Sequence, residues 1–282
     1  MRIAFASGKG GTGKTLFATS LARHLSQLES ERIVFLDLDV EVPDARLFLP
    51  DLRESSREAY FVSYPLVDQN LCQHCGLCAR KCNYGAITVL PSETLIFEEL
   101  CQSCTRCLSH CPTGALSLRA KEIGQILRFE NNHIDYAEGL LEISSVRTKS
   151  LIQGVKKALP EKNTVIIDCP PGTTCPMVES VKDADLCILI GEDSPFGLHD
   201  VSLAAEVLSD LNIPFALLIN KRIAQTEILK KHAQLNGWKI IAALDFNPEL
   251  ARLIANSEDA LTIKDFKETI VALSNFIQEQ RP

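Results

Sequence analysis

The stretch Gly8-Lys9-Gly10-Gly11-Thr12-Gly13-Lys14-Thr15 fits G-x-x-x-x-G-K-[ST] in full, and its flanks say where it sits in a fold. Arg2-Ile3-Ala4-Phe5-Ala6 reads as a short buried strand, and Leu16, Ser20, Leu21 and Leu25 then recur at helical spacing. Strand, loop and helix together make a phosphate cradle. Glycines let successive backbone N–H groups turn toward a triphosphate, and the helix aims its positive N-terminal end at the same oxygens. Lys14 is placed to reach the β- and γ-phosphates and Thr15 to give its hydroxyl to Mg²⁺. Gly8, Gly10 and Gly13 also spell G-x-G-x-x-G, which with Asp37 and Asp39 at a later strand end would suit a dinucleotide. The Lys14-Thr15 pair favours the triphosphate, because a dinucleotide fold gains nothing from a lysine and a hydroxyl after the third glycine.

At 282 residues and 46% hydrophobic content, the chain can build one large α/β domain, or one domain and a small module. No apolar run approaches the roughly 20 residues of a membrane helix. Met1-Arg2-Ile3 enters the first strand directly, so the expectation is a cytoplasmic protein without cleavable leader or stable membrane anchor. A net charge of −7 argues against nucleic acid as partner.

Cysteine usage is anomalous: of eleven, eight fall between Cys72 and Cys111. Cys72-x₂-Cys75-x₂-Cys78-x₃-Cys82 is repeated as Cys101-x₂-Cys104-x₂-Cys107-x₃-Cys111-Pro112. Without a secretion signal, this regular spacing points to metal rather than disulfides. Three thiolates at two-residue gaps take three corners of an iron–sulfur cubane, and the fourth cysteine of each run ligates the other cluster. Cys72, Cys75, Cys78 and Cys111 would then hold one [4Fe–4S] cluster, and Cys82, Cys101, Cys104 and Cys107 the second. Zinc sites also use C-x₂-C pairs but need no three cysteines in close series. The block resembles a bacterial two-cluster ferredoxin, with Asn83 in place of the proline expected after Cys82. His74 and His110, among sites already filled by sulfur, read as loop residues.

Around this block the α/β alternation is interrupted. Residues 32–39 form an apolar strand ending in Asp37 and Asp39; 53–57 reads as a polar connection, 60–64 as a short strand, and 123–129 with 140–143 as strands or a hairpin. A helix is expected over 148–159, and strands over 164–168, 186–190 and 214–220. Phe266, Ile270, Leu273 and Ile277 mark the core face of a last helix within 263–280, whose mixed charges offer no cationic face to lipid.

Several motifs together resemble the MinD/ParA superfamily of P-loop ATPases, which includes the nitrogenase iron protein and Mrp-type ATPases. Lys9 before Gly10-Gly11-Thr12-Gly13-Lys14-Thr15 matches the deviant Walker A of that family. The resemblance implies that Lys9 reaches across a dimer interface to the partner's nucleotide, hence an ATP-dependent dimer, of identical chains or with a paralogue. Asp37-Leu38-Asp39 matches the family's Asp-x-Asp, with Asp39 orienting the attacking water and Asp37 near the Mg²⁺ shell. Asp168-Cys169-Pro170-Pro171-Gly172 resembles Walker B and its switch, in which the aspartate binds Mg²⁺ and the glycine N–H senses the γ-phosphate. Asn220 would meet the adenine edge, and Asp245-Phe246-Asn247-Pro248-Glu249 would close over the base, with Pro248 as a contact. Cys169, Cys175 and Cys187 read as small buried hydrophobes, a shared interface cluster on Cys169 or Cys175 being the alternative.

The resemblance implies a mostly parallel P-loop sheet flanked by helices (residues 1–57 and 119–282) with a small α+β ferredoxin domain inserted at 58–118. Its implied cofactors are ATP, Mg²⁺ and two [4Fe–4S] clusters. Its implied activity is slow ATP hydrolysis coupled to electron transfer with a redox or metal-cofactor-binding partner protein. Lys9, Lys14 and Asp39 would be catalytic; Gly8 to Thr15, Gly172, Asn220 and Pro248 would hold nucleotide; Thr15, Asp37 and Asp168 would hold Mg²⁺. An assembly scaffold and a MinD-like spatial organiser are the alternatives.

Overall fold

The computed structural model describes residues 1–28, 32–143, 145–160, 164–223, 227–256 and 258–281. Its centre is a nine-stranded sheet in the order β11-β10-β9-β1-β8-β2-β7-β6-β3. The strands are β1 (Arg2–Ala6), β2 (Ile33–Asp37), β3 (Arg53–Val67), β6 (Leu116–Glu130), β7 (Ile134–Leu141), β8 (Val165–Asp168), β9 (Leu186–Glu192), β10 (Phe215–Arg222) and β11 (Ile240–Asp245). Pairing is parallel from β11 to β7, and β6 runs against both its neighbours. The central strands are buried on both faces, as unbroken runs such as Ile33-Val34-Phe35-Leu36 require.

Helices cover both faces. On one, Ile3, Phe5, Phe35 and Ile188 pack with α1 (Lys14–Leu28), α8 (Pro248–Ala255) and α9 (Lys264–Glu279). On the other, Ala4, Leu36, Ile167 and Leu189 pack with α4 (Thr148–Lys156), α5 (Cys175–Val181), α6 (Pro195–Asp210) and α7 (Ile228–Asn236). The apolar face anticipated for the last helix is fully buried at Phe266, Ile270, Leu273 and Ile277. Phe266 lies 5.3 Å from Phe17 of α1, ring centroid to centroid.

β3 and β6 form a long antiparallel ribbon at the sheet edge, and residues 68–115 are carried at its far end. There lie α2 (Leu77–Lys81), a hairpin of β4 (Ile87–Val89) with β5 (Thr94–Ile96), and α3 (Arg106–Ser109). Two readings of the sequence need correction here. Residues 53–57 are the first part of β3 rather than a connection, and the strand over 60–64 is its middle. Likewise β7 runs from Ile134 to Leu141, so only 140–141 of the expected 140–143 belong to a strand, and 123–129 is the inner half of β6. Much of β3 is exposed on both faces, so the alternation of apolar and polar residues that marks a half-buried strand is missing from Arg53-Glu54-Ser55-Ser56-Arg57-Glu58.

Candidate functional site

At the carboxyl ends of the parallel strands, a cavity of about 430 Å³ is lined by Gly11, Gly13, Lys14 and Thr15 on one side and Phe48, Asn220, Phe246 and Leu250 on another. Backbone geometry explains the glycines. Gly11 and Gly13 have φ of +76° and +106°, and a Cβ on Gly13 would stand 2.7 Å from Asn220 Nδ2. At Gly8 a Cβ would stand 2.2 Å from the Asp200 carbonyl oxygen, so only glycine lets the loop lie against α6.

Lys14 begins α1 and is buried, its Nζ donating to Ser7 Oγ at 3.1 Å while Ser7 Oγ donates to the Lys9 carbonyl at 2.6 Å. Asp168, at the end of β8, is buried and its pKa is pushed up, chiefly by burial; the Thr15 hydroxyl and the Lys14 charge oppose the rise. Among the described residues, Asp168 Oδ1 and Thr12 Oγ1 are buried without a hydrogen-bond partner. A bare carboxylate oxygen beside a threonine hydroxyl and an ammonium group suits a hard divalent cation next to a phosphate, so these residues fit Mg²⁺ with a nucleotide.

Asp37 lies opposite Asp168 in the β2–β8 register. Its Oδ1 accepts from Asp39 N at 3.1 Å, and its Oδ2 accepts from Ala45 N at 3.1 Å and the Tyr136 hydroxyl at 3.2 Å. Burial, then the Asp168 charge, raises its pKa well above the usual carboxylate range. Asp37 therefore ties down the turn from 39 to 45, and that turn presents Asp39, whose pKa burial also raises against the pull of Lys14. Gly172 has φ of +89° and donates its N–H to the Ser7 carbonyl at 3.1 Å, while Gly10 faces Pro171. Lys9 is held within its own chain by Glu192, Nζ to Oε2 at 2.6 Å. Lys221 reaches the same carboxylate at 3.1 Å and the Gly11 carbonyl at 2.5 Å. Asn220 donates Nδ2 to the Thr12 carbonyl at 2.7 Å, which ties the end of β10 to the phosphate loop. Pro248 opens α8, and it is Phe246 and Asn247, not Pro248, that line the cavity.

Sequence reasoning missed Ser7, Asp44 and Glu192. Ser7 adjoins the loop and Glu192 ends an apolar strand, the position where ligands collect in a parallel sheet, so both carried a signal. Asp44, near Lys14 and Thr15, sits in a turn with no motif. Cys175 also differs from its reading: it is exposed at the start of α5, whereas Cys169 and Cys187 are buried as expected.

The eight clustered cysteines separate into two groups. Cys72, Cys75, Cys78 and Cys111 line one small cavity, and Cys82, Cys101, Cys104 and Cys107 line another. The sequence repeat is a backbone repeat as well. His74 and Ser103 have φ of 51° and 53°, Gly76 and Thr105 have 72° and 58°, and Gly85 and Gly114 have 64° and 65°. None of the eleven cysteines is in a disulfide, and burial followed by the neighbouring Cys101 pushes the Cys107 thiol up to about 11. Among the described residues, no three or more His, Cys, Asp or Glu are gathered tightly enough to hold a metal ion. Two sets of four thiols fit the donor chemistry of cubanes, which place each sulfur on a separate iron.

A strand–loop–helix phosphate cradle at the carboxyl end of a mostly parallel sheet defines a P-loop nucleotide-binding protein. Residues 3–260 match the model of the CobQ/CobB/MinD/ParA nucleotide binding domain, and the chain belongs to that family. Members of its MinD and ParA branches are ATPases, which supports ATP hydrolysis by this chain. It is 32% identical to the uncharacterized protein MJ0578 of Methanocaldococcus jannaschii, the match covering 98% of each chain. Its fold is similar to the cell division ATPase MinD of Pyrococcus furiosus, with a TM-score of 0.58, 15% identity and 99% of each chain covered. The septum site-determining protein MinD of Pyrococcus horikoshii, complexed with Mg-ADP, gives a TM-score of 0.57 at 16% identity, over 98% of this chain and 95% of that one.

Proposed function

We propose that this chain is a MinD-type ATPase that carries two [4Fe–4S] clusters in an inserted ferredoxin domain at 58–118 and couples ATP binding and hydrolysis to electron transfer. The observation that supports it is the sorting of eight cysteines. The spacing predicts an exchange of the fourth ligand between runs, and Cys111 lines the cavity of the first run while Cys82 lines that of the second. A structural zinc site is less well served by this arrangement, since its four sulfurs converge on one ion at about 2.3 Å. Bound there, the clusters would supply one-electron redox chemistry with a partner protein as donor or acceptor.

Gly8 to Thr15 would cradle the phosphates, Lys14 and Lys9 would offset their charge, and Asp39 would orient the attacking water. Thr15 and Asp168 would hold Mg²⁺, with Asp37 bracing the turn beside it. Asn220 would read the base, Gly172 would sense the γ-phosphate once its N–H leaves Ser7, and Pro248 would fix the end of the loop over the base. Rate enhancement in such a site comes from placement and charge rather than from a covalent intermediate. ATP would favour a closed dimer, of identical chains or with a paralogue, and a cytoplasmic redox partner would meet the clusters.

Anaerobic purification tests the reading. The expected protein holds about eight iron atoms per chain, four for each cubane, and its rate of cluster reduction differs between Mg·ATP and Mg·ADP. Zinc in place of iron would sink it. Iron that leaves for an acceptor protein on ATP addition would instead favour an assembly scaffold. ATP-dependent attachment to lipid would favour a MinD-like organiser, although the apolar face of α9 is buried against α1 and the sheet.

A further inference from the structure

The two cysteine groups stand in different relations to the nucleotide cavity. Cys101 and Ala86 pack into the main core with Val62, Tyr64 and Leu151, whereas the cavity of Cys72, Cys75, Cys78 and Cys111 is lined by residues 67–116 alone. One side chain bridges the gap on the near side. Arg147 is buried, directly before α4, and its Nη2 donates to the Glu98 carbonyl at 2.6 Å. That same carbonyl accepts from the backbone N of Cys101 at 3.2 Å. Arg147 Nε donates to the Tyr64 hydroxyl at 3.1 Å, and Nη1 is buried without a partner among the described residues.

The next residue looks the other way. Thr148 Oγ1 donates to Glu41 Oε1 at 3.1 Å, and Glu41 lies two residues past Asp39 in the turn beside the phosphate loop. The adjoining Val40 carbonyl accepts from Leu141 N at 2.8 Å, which fixes that turn to the end of β7. A continuous set of bonds thus runs from Asp39 through Glu41, Thr148, Arg147 and Glu98 to Cys101.

We infer that Arg147 is the positioning residue through which the nucleotide state of the Asp39 turn sets the redox potential at the Cys82, Cys101, Cys104 and Cys107 group. The inference rests on the proposed cluster-bearing ATPase and adds the route of its coupling. Two physical effects act at Arg147. Its permanent charge, little screened because it is buried, favours the more negative, reduced state of a nearby cluster and so raises its potential. Its planar fork makes the bonds to Tyr64 and Glu98 together, so movement of Thr148 with the Asp39 turn is passed to the strand turn that presents Cys101.

The test is an anaerobic, EPR-monitored redox titration of the iron-loaded full chain, with Mg·ADP and with a non-hydrolysable Mg·ATP analogue. In the wild type, one of two midpoint potentials shifts with nucleotide. Arg147→Met is expected to lower that potential and abolish its shift. Arg147→Lys keeps the charge without the fork, so its potential stays near the wild-type value while the shift is lost. Thr148→Val, which cuts the bond to Glu41 and leaves the guanidinium in place, is expected to lose the shift with both basal potentials unchanged. This variant serves if Arg147→Met fails to fold or load. A wild-type-sized shift in both Arg147→Lys and Thr148→Val would overturn the inference, as would a wild type whose potentials ignore nucleotide. Wild-type iron content and nucleotide binding, measured on the same sample, separate that failure from failure of the cluster assignment.

Discussion

Lys14 combines a buried ammonium group with, among the described residues, one hydroxyl partner, Ser7 Oγ, so much of its hydrogen-bonding capacity can serve a nucleotide. A charge-assisted bond contributes about 1.5–3 kcal/mol. Lys14→Ala is therefore expected to weaken Mg·ATP binding by about 10- to 150-fold, read by a fluorescent-nucleotide titration, while iron content stays at the wild-type level. Unchanged affinity would remove the loop assignment. The carboxylates beside it give a pH dependence. Folding raises the pKa of both Asp37 and Asp168, so their contribution to stability is fully present below the ordinary carboxylate value and is lost as pH rises through the raised values. The proposed binding of Mg²⁺ with nucleotide at Asp168 would reverse the sign there, because the cation favours the ionised form. Thermal melts at pH 5 and pH 8 are expected to show a larger stabilisation by Mg·ADP at the higher pH.

At the scale of elements, α9 is the simplest to test, since Phe266 is fully buried and meets Phe17 of α1. Phe266→Ala is expected to cost about 3–5 kcal/mol, read by chemical denaturation, because the site between α1 and β11 cannot collapse around the missing ring. This helix was legible in the sequence because its apolar residues recur at three- and four-residue intervals over an otherwise charged surface. The phosphate loop and the cysteine repeat were legible for another reason: each is a fixed spacing of one or two residue types over a short stretch, which the sequence displays directly. The β3–β6 ribbon was not. β3 is mostly exposed from Arg53 to Phe61 and β6 from Ser117 to Glu122, so no period marks those stretches, and the register comes from pairing between residues some 60 positions apart, such as Ser63 with Ala120. Arg147 was hidden for the same reason, as its partners Tyr64 and Glu98 lie far away in sequence.

On the scale of the whole molecule, the dimer proposed for the ATP-bound state depends on what holds Lys9. In the single chain its ammonium group is paired with Glu192, which also holds Lys221, and Lys221 in turn reaches the Gly11 carbonyl. Lys9 and Lys221 hold the Glu192 pKa below the usual carboxylate range even though burial opposes them. In the proposed dimer, a lysine that serves the partner's nucleotide must first leave this pair, so Glu192 would compete with dimer formation. The pair is partly exposed, and such ion pairs contribute about 0.2–1 kcal/mol. Glu192→Gln is accordingly expected to lower the dissociation constant of the ATP-bound dimer by about two- to fivefold, measured by light scattering across a protein dilution series. Lys9→Ala is expected to bind Mg·ATP and remain monomeric at every concentration. If Glu192→Gln weakens the dimer instead, the carboxylate belongs to the interface, and Lys9 and Glu192 act there as a unit rather than as rivals.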